Sequence, residues 1–211
     1  MNPATGPTIE VFADIWCTFA HVGLRSVAEH RRSFGRDDVV INVRAWPLEL
    51  VNQAPMDVAK AAEHVVELRE YVAPHTFAGF DPDHFPATTL PALALVARAQ
   101  RTDPLLGERA SFEVRDALFE RGQNIADPAV LQALAGQLGI PMPDETDHAA
   151  VLNDWEAGKA RGVIGSPHFF AAGRDEFCPS LQITRADHGL TIHRNAERLG
   201  GFLNAAFAEL R

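Results

Sequence analysis

Apolar positions along this chain fall into two rhythms. Over residues 8–13, Ile9, Val11 and Phe12 alternate loosely among β-formers, the pattern of a strand. Over 19–32 the spacing changes. Val22, Leu24, Val27 and Ala28 share one helical face, with Arg25, Glu29 and Arg32 opposite, so this segment is predicted as a helix. Residues 38–46, with Val39, Val40, Ile41, Val43 and Trp46, read as a second strand that Pro47 stops. Strand, helix and strand at these lengths suit a parallel βαβ unit.

From about 57 to 162 no strand pattern is convincing, and the rhythm is helical. The stretches are 56–72, 88–101, 105–121, 128–138 and 145–162, separated by Pro, Gly and Asp. Asp127-Pro128 is an N-cap followed by proline at the first helical position, and Gly139 closes that helix. The 75–86 connection carries Phe77, Phe80 and Phe85 and is read as an ordered loop packed on its aromatics. Strand character returns at 167–172. Gly173-Arg174 suits a hairpin turn into Glu176-Phe177-Cys178, and short β pieces follow at 181–184 and 190–193. A last amphipathic helix over 195–210 buries Leu199, Phe202, Leu203, Phe207 and Leu210. The expected architecture is α/β. A βαβ half and a ββα half make one discontinuous domain, 1–50 and 163–211, with a large all-helical insertion over 51–162.

Composition narrows the partners. The 211 residues can bury a substantial core, and 46% hydrophobic with 22% charged residues is ordinary for a globular protein. A net charge of -9 argues against nucleic acid or an anionic membrane as the main partner. No apolar run is long enough to span a bilayer. The opening residues lack the basic and apolar regions of a secretory signal. Two cysteines far apart give no disulfide framework, so the expected setting is reduced and cytoplasmic.

Candidate chemistry begins at Cys17, between the first strand and the first helix. A thiol at a helix N-terminus faces free backbone N–H groups and the positive end of the dipole, which favour the nucleophilic thiolate. The bland alternative is a small buried hydrophobe. Ala20 stands where a C-x-x-C motif would place its second cysteine. Gly165-Ser166-Pro167 entering a strand is odd, because proline removes a ladder donor. Either Pro167 is trans and starts an edge strand, or a cis Ser166–Pro167 bond in a tight turn exposes Ser166 backbone groups to an extended substrate. His21 could bond the thiolate or donate a proton, or be a surface residue; His168 carries the same alternatives. Trp16 and Phe19 are candidate pocket walls and Thr18 a candidate contact. Cys178 is read as structural rather than as a distant resolving thiol, since a disulfide needs Cα atoms within about 7 Å. The remaining histidines show no metal spacing, so no metal is expected.

These segments together resemble the thioredoxin superfamily. The nearer likeness is to its DsbA-like branch, which includes FrnE-type oxidoreductases, kappa-class glutathione transferases and hydroxychromene-carboxylate isomerases. Asp14-Ile15-Trp16-Cys17-Thr18-Phe19-Ala20-His21-Val22-Gly23 is similar to the family's D-x-x-C-P-[WF]-C-Y-x-G. Trp46-Pro47-Leu48-Glu49-Leu50, Ala117-Leu118-Phe119-Glu120-Arg121-Gly122, Ile125-Ala126-Asp127 and Gly162-Val163-Ile164-Gly165-Ser166-Pro167 extend the likeness, in order, over nearly the whole chain. The resemblance implies a thioredoxin-like fold with a helical insertion and the active site where the lobes meet. It also implies Cys17 as the attacking cysteine and Pro167 as the cis-proline. Cys178-Pro179-Ser180 resembles the segment that contacts the thiol cosubstrate in glutathione-using members.

Ala20 and Thr18 depart from the redox members, and Cys17 stands where the isomerases carry serine. Without a second thiol, a mixed disulfide on Cys17 must await an external thiol. The expected function is therefore a monothiol oxidoreductase acting on mixed disulfides or thiol conjugates, with Cys17 catalytic. Trp16, Thr18, Phe19, His21, Ser166 and Pro167 would contact substrate. The partners would be a small thiol or disulfide, or a protein thiol; no cofactor is tightly bound, and a low-molecular-weight thiol is the candidate cosubstrate. A kappa-type thiol-dependent transferase or isomerase, and a non-catalytic binding module on a redox fold, are the alternatives.

Overall fold

A computed structural model of the chain describes residues 7–186 and 189–210. Residues 1–6, read above for a leader pattern, lie outside the described residues. The chain runs β1 (Thr8–Ala13), α1 (Thr18–Ser33), β2 (Val40–Ala45), α2 (Leu48–Asn52), α3 (Val58–Tyr71), a 3-10 turn (Pro82–His84), α4 (Leu90–Thr102), α5 (Pro104–Phe119), α6 (Pro128–Leu138), α7 (Glu145–Ala160), β3 (His168–Ala171), β4 (Arg174–Phe177), β5 (Leu181–Ala186), β6 (Gly189–Arg194) and α8 (Ala196–Glu209).

The main sheet has the order β2-β1-β3-β4. Parallel β1–β2 pairing puts Thr8 opposite Val40 and Ala13 opposite Ala45, while β3 pairs antiparallel with both β1 and β4. Alternation along β1 assigns its two faces. Ile9, Val11 and Ala13 pack with Ile41, Val43 and Phe169 under α1 and α8, against Leu24, Val27, Phe202 and Leu203. Phe12 points the other way, into a cluster with Trp46 and Val163 beside Trp155 of α7. The largest cluster joins α3 to α6 around Leu68, Leu95, Val114, Phe119 and Leu134.

Helix ends follow the expected chemistry. Asp57, Asp103 and Asp127 each accept backbone N–H bonds as N-caps, and Asp144 with Asp147 forms a capping box. Several expectations need correction. The second strand is shorter than 38–46. It gives way at Trp46, and Leu48–Asn52 is a short helix that sequence reasoning did not see; at five residues it is too short to show a 3.6-residue period. The 181–184 and 190–193 pieces belong to a separate hairpin, β5–β6, linked to α3 by the Arg194 guanidinium, which donates to the Val72 carbonyl. Leu210 is half-buried rather than core. The 75–86 loop is packed as expected, with Phe77 fully buried against Phe119 and Phe80 stacked near it.

Candidate active site

Cys17 is the N-cap of α1, with extended backbone at ψ 107 and no side-chain cap bond. The turn between β1 and α1 faces the segment before β3, because β1 and β3 are ladder partners. The Ser166–Pro167 peptide bond is cis. Here the Cys17 thiol donates to the Ser166 carbonyl at 3.1 Å. Gly23 keeps the next turn of α1 bare. A methyl there would lie 3.2 Å from Ser180 Oγ and 3.4 Å from Pro167 Cγ, so the glycine lets the helix approach both. Cys178 lies across the ladder from Pro167 and donates its N–H to the Pro167 carbonyl at 2.9 Å. Cys17 and Cys178 are both free thiols.

The electrostatics reverse the sequence-based expectation of a thiolate. Cys17 is only 4% exposed. Burial pushes its thiol above the ordinary value; the nearby Ser166 side chain and the Ala20 and Phe19 N–H groups pull it down less strongly, and the Asp14 charge adds to the rise. The helix N-terminus acts in the expected direction, and desolvation outweighs it. Resting Cys17 is therefore a thiol. Cys178 is pushed up to about 12, first by burial and then by proximity to Cys17.

The other anticipated contacts divide. Trp16 is fully buried and stacks on Phe85 at 6.2 Å, so it is core rather than a pocket wall. Thr18 is buried in the first turn of α1, and half-buried Phe19 lies over His64 at 4.6 Å between ring centroids. His21 is turned away from the sulfur. Its Nδ1 lies 3.0 Å from Arg25 Nη1, which can only donate, so Nε2 carries the proton and donates to Glu120 at 2.7 Å. Packed between Phe77 and Phe119, His21 is pushed down to about 4 by burial and is neutral. Glu120 also accepts the N–H groups of Phe77 and Ala78, and sits at about 2. His21, Asp116 and Glu120 bring possible ligand atoms within 4.8 Å of one another, yet Arg25 already bonds both His21 and Asp116 there. His168 is a brace: Ile164 N–H donates to its Nδ1 and its Nε2 faces Asp175 at 2.9 Å, which fixes the loop carrying Ser166.

The residue that sequence reasoning missed is Asp14, which entered only as a motif letter. Fully buried, its carboxylate accepts from the Ile15 and Leu48 N–H groups and, at 2.7 Å, from the Thr89 hydroxyl. Its own N–H donates to Ser166 Oγ at 2.9 Å. Its carbonyl accepts from Arg115 at 3.0 Å, a fully buried guanidinium also held by the Ser111 carbonyl and hydroxyl. Burial raises Asp14 to about 6 and lowers Arg115 to about 10.

A βαβ unit leading into a β-hairpin, with a cysteine heading the first helix opposite a cis X–Pro segment, defines a thioredoxin-like fold. Residues 8–188 match the DSBA-like thioredoxin domain, and the chain belongs to that family. Among solved structures it is similar to a proposed protein disulfide isomerase from Nitrosomonas europaea (17% identity, 96% of this chain, 98% of that one, TM-score 0.67). It is also similar to the cytosolic disulfide reductase DsbM from Pseudomonas aeruginosa with GSH (16%, 95% and 99%, 0.62) and to a 2-hydroxychromene-2-carboxylate isomerase (14%, 96% and 95%, 0.65). No curated protein matches the chain by sequence. No helix among the described residues is long and apolar enough to cross a membrane.

Proposed function

We propose that this protein is a DsbA-like thiol–disulfide oxidoreductase of monothiol type, working in a reduced, cytoplasmic setting. The carrying observation is the Cys17 thiol 3.1 Å from the Ser166 carbonyl, at the head of α1 and against the cis Ser166–Pro167 segment. In this reading the thioredoxin-like part is 1–50 and 163–211, and 51–162 is a helical insertion that walls the site. Cys17 gives up its proton and attacks a small disulfide. One new S–S bond forms, the old one breaks, and the departing thiolate takes the proton. Ala20 offers no second thiol, so a free low-molecular-weight thiol attacks the captured sulfur of the mixed disulfide; a new disulfide leaves, the bond to Cys17 breaks, and the thiol's proton returns to Cys17. Ser166 backbone groups and Pro167 align the substrate, and Phe19 flanks it.

The protonated state of Cys17 favours a second reading. A buried thiol that donates a hydrogen bond suits a kappa-type transferase or isomerase, where Cys17 only bonds the sulfur of a glutathione-like cosubstrate.

One pair of measurements separates the two. Under the first reading, oxidised glutathione leaves a glutathionyl adduct on Cys17 in the mass spectrum, added thiol removes it, and dithiol-driven insulin reduction stays near background. Under the second, no adduct forms, and reduced glutathione raises the melting temperature of the wild type and of Cys17→Ser alike. Absence of both adduct and stabilisation leaves neither standing.

A further inference from the structure

We propose that Asp14 is a positioning residue for Cys17: its N–H clamps Ser166, whose carbonyl meets the thiol, and its carboxylate keeps a negative charge in the same dry space. This deepens the reading of Cys17 as the attacking thiol and rests on it.

The geometry sets Asp14 apart. Its N–H clamps Ser166 through Oγ, and the Ser166 carbonyl accepts the Cys17 thiol. Its carboxylate is tied to Ile15, to the first residue of α2 and to Thr89, the N-cap of α4, so it cannot swing aside. Among the described residues, these charged or titratable groups bear on it. Arg115 of α5 bonds its carbonyl, Cys17 heads α1, and Glu49 of α2 sits one bond beyond, accepting from the Thr89 N–H. Arg25 and Asp116 act on Arg115 from farther out. One buried cation thus faces two acids, and it can offset one negative charge but not two. Asp14 is the stronger acid and takes that charge first, which leaves Cys17 to ionise against both burial and a like charge. A site without a resolving thiol gains by this, because a permanently ionised Cys17 would be captured by any disulfide.

The test follows Cys17 ionisation by thiolate absorbance at 240 nm across pH, each protein referenced to its Cys17→Ser counterpart. Asp14→Asn should move the Cys17 midpoint down, raising the thiolate fraction at fixed neutral pH. Asp14→Glu, which restores the charge, should move it back toward the wild-type value. An unchanged midpoint in folded Asp14→Asn overturns the proposal; a purely structural aspartate would alter stability and leave the titration in place. Should Asp14→Asn fail to fold, the wild type decides. The Asp14 carboxyl carbon resonance should show a second inflection where Cys17 ionises, lost in Cys17→Ser, and a single inflection overturns the proposal. Neither readout needs a disulfide substrate, so failure of the oxidoreductase reading is scored separately by the adduct experiment.

Discussion

Ser166 turns two groups toward Cys17 with opposite preferences. Its carbonyl accepts from the thiol, while its side chain favours the thiolate and also accepts the Asp14 N–H. Ser166→Ala removes only the second. The expected outcome is a Cys17 midpoint displaced further upward, with a stability loss of about 1–3 kcal/mol from the stranded buried N–H, read by alkaline titration and urea melts. At this scale local pattern placed Cys17 at a helix head; only the family resemblance, not the pattern around Ser166-Pro167, set a cis proline opposite it. It could not place Asp14 or Arg115. Beside one local partner each, Ile15 and Ser111, their meaning comes from partners 34 to 152 positions away, on segments that meet only in the folded chain. His21 misled for the same reason: spacing within α1 set it one turn from Cys17, whereas packing against Phe77 and Phe119 turned it aside.

Between elements, α4 and α5 pack so closely that Gly107 lies almost on the backbone of Gln100. A Cβ there would come 2.8 Å from the Gln100 Cα, whereas one on Gly136 of α6 meets nothing within 4 Å. Gly107→Ala should therefore destabilise by about 1–3 kcal/mol despite alanine's better helix propensity. Gly136→Ala should gain up to about 1 kcal/mol from propensity alone. Thermal melts of the two variants, moving in opposite directions, check this contrast. Long helices were readable because several turns repeat the same signal; the β3–β4 hairpin was read from its glycine, although its turn is Ala172-Gly173 rather than Gly173-Arg174, because Arg174 already pairs with Ala171. A five-residue helix such as α2 offers too few positions for a period to emerge.

Across the whole molecule, two buried groups titrate against one another. His21 falls from 6.5 unfolded to about 4 folded, so between those values only the unfolded chain binds its proton and stability rises with pH. Asp14 rises from 3.8 to about 6, so over nearly the same window only the folded chain keeps its proton and stability falls with pH. Each slope approaches about 1.4 kcal/mol per pH unit, and they nearly cancel. Denaturant melts of the wild type should be close to flat from about pH 5 to 6; below that Glu120, held at about 2 in the fold, adds a rising slope of its own. Asp14→Asn should expose the rising His21 slope, and a wild-type stability that climbs steeply through this window would contradict the pairing. The partners of Asp14 also bear on how the chain can be cut. Thr89 and Arg115 both come from the middle third of the sequence, so a trimmed protein that rejoined only the outer segments would keep its cysteine and its proline yet strand an acid in oil. Engineers wanting a smaller scaffold would have to replace Asp14 with a neutral side chain in the same step.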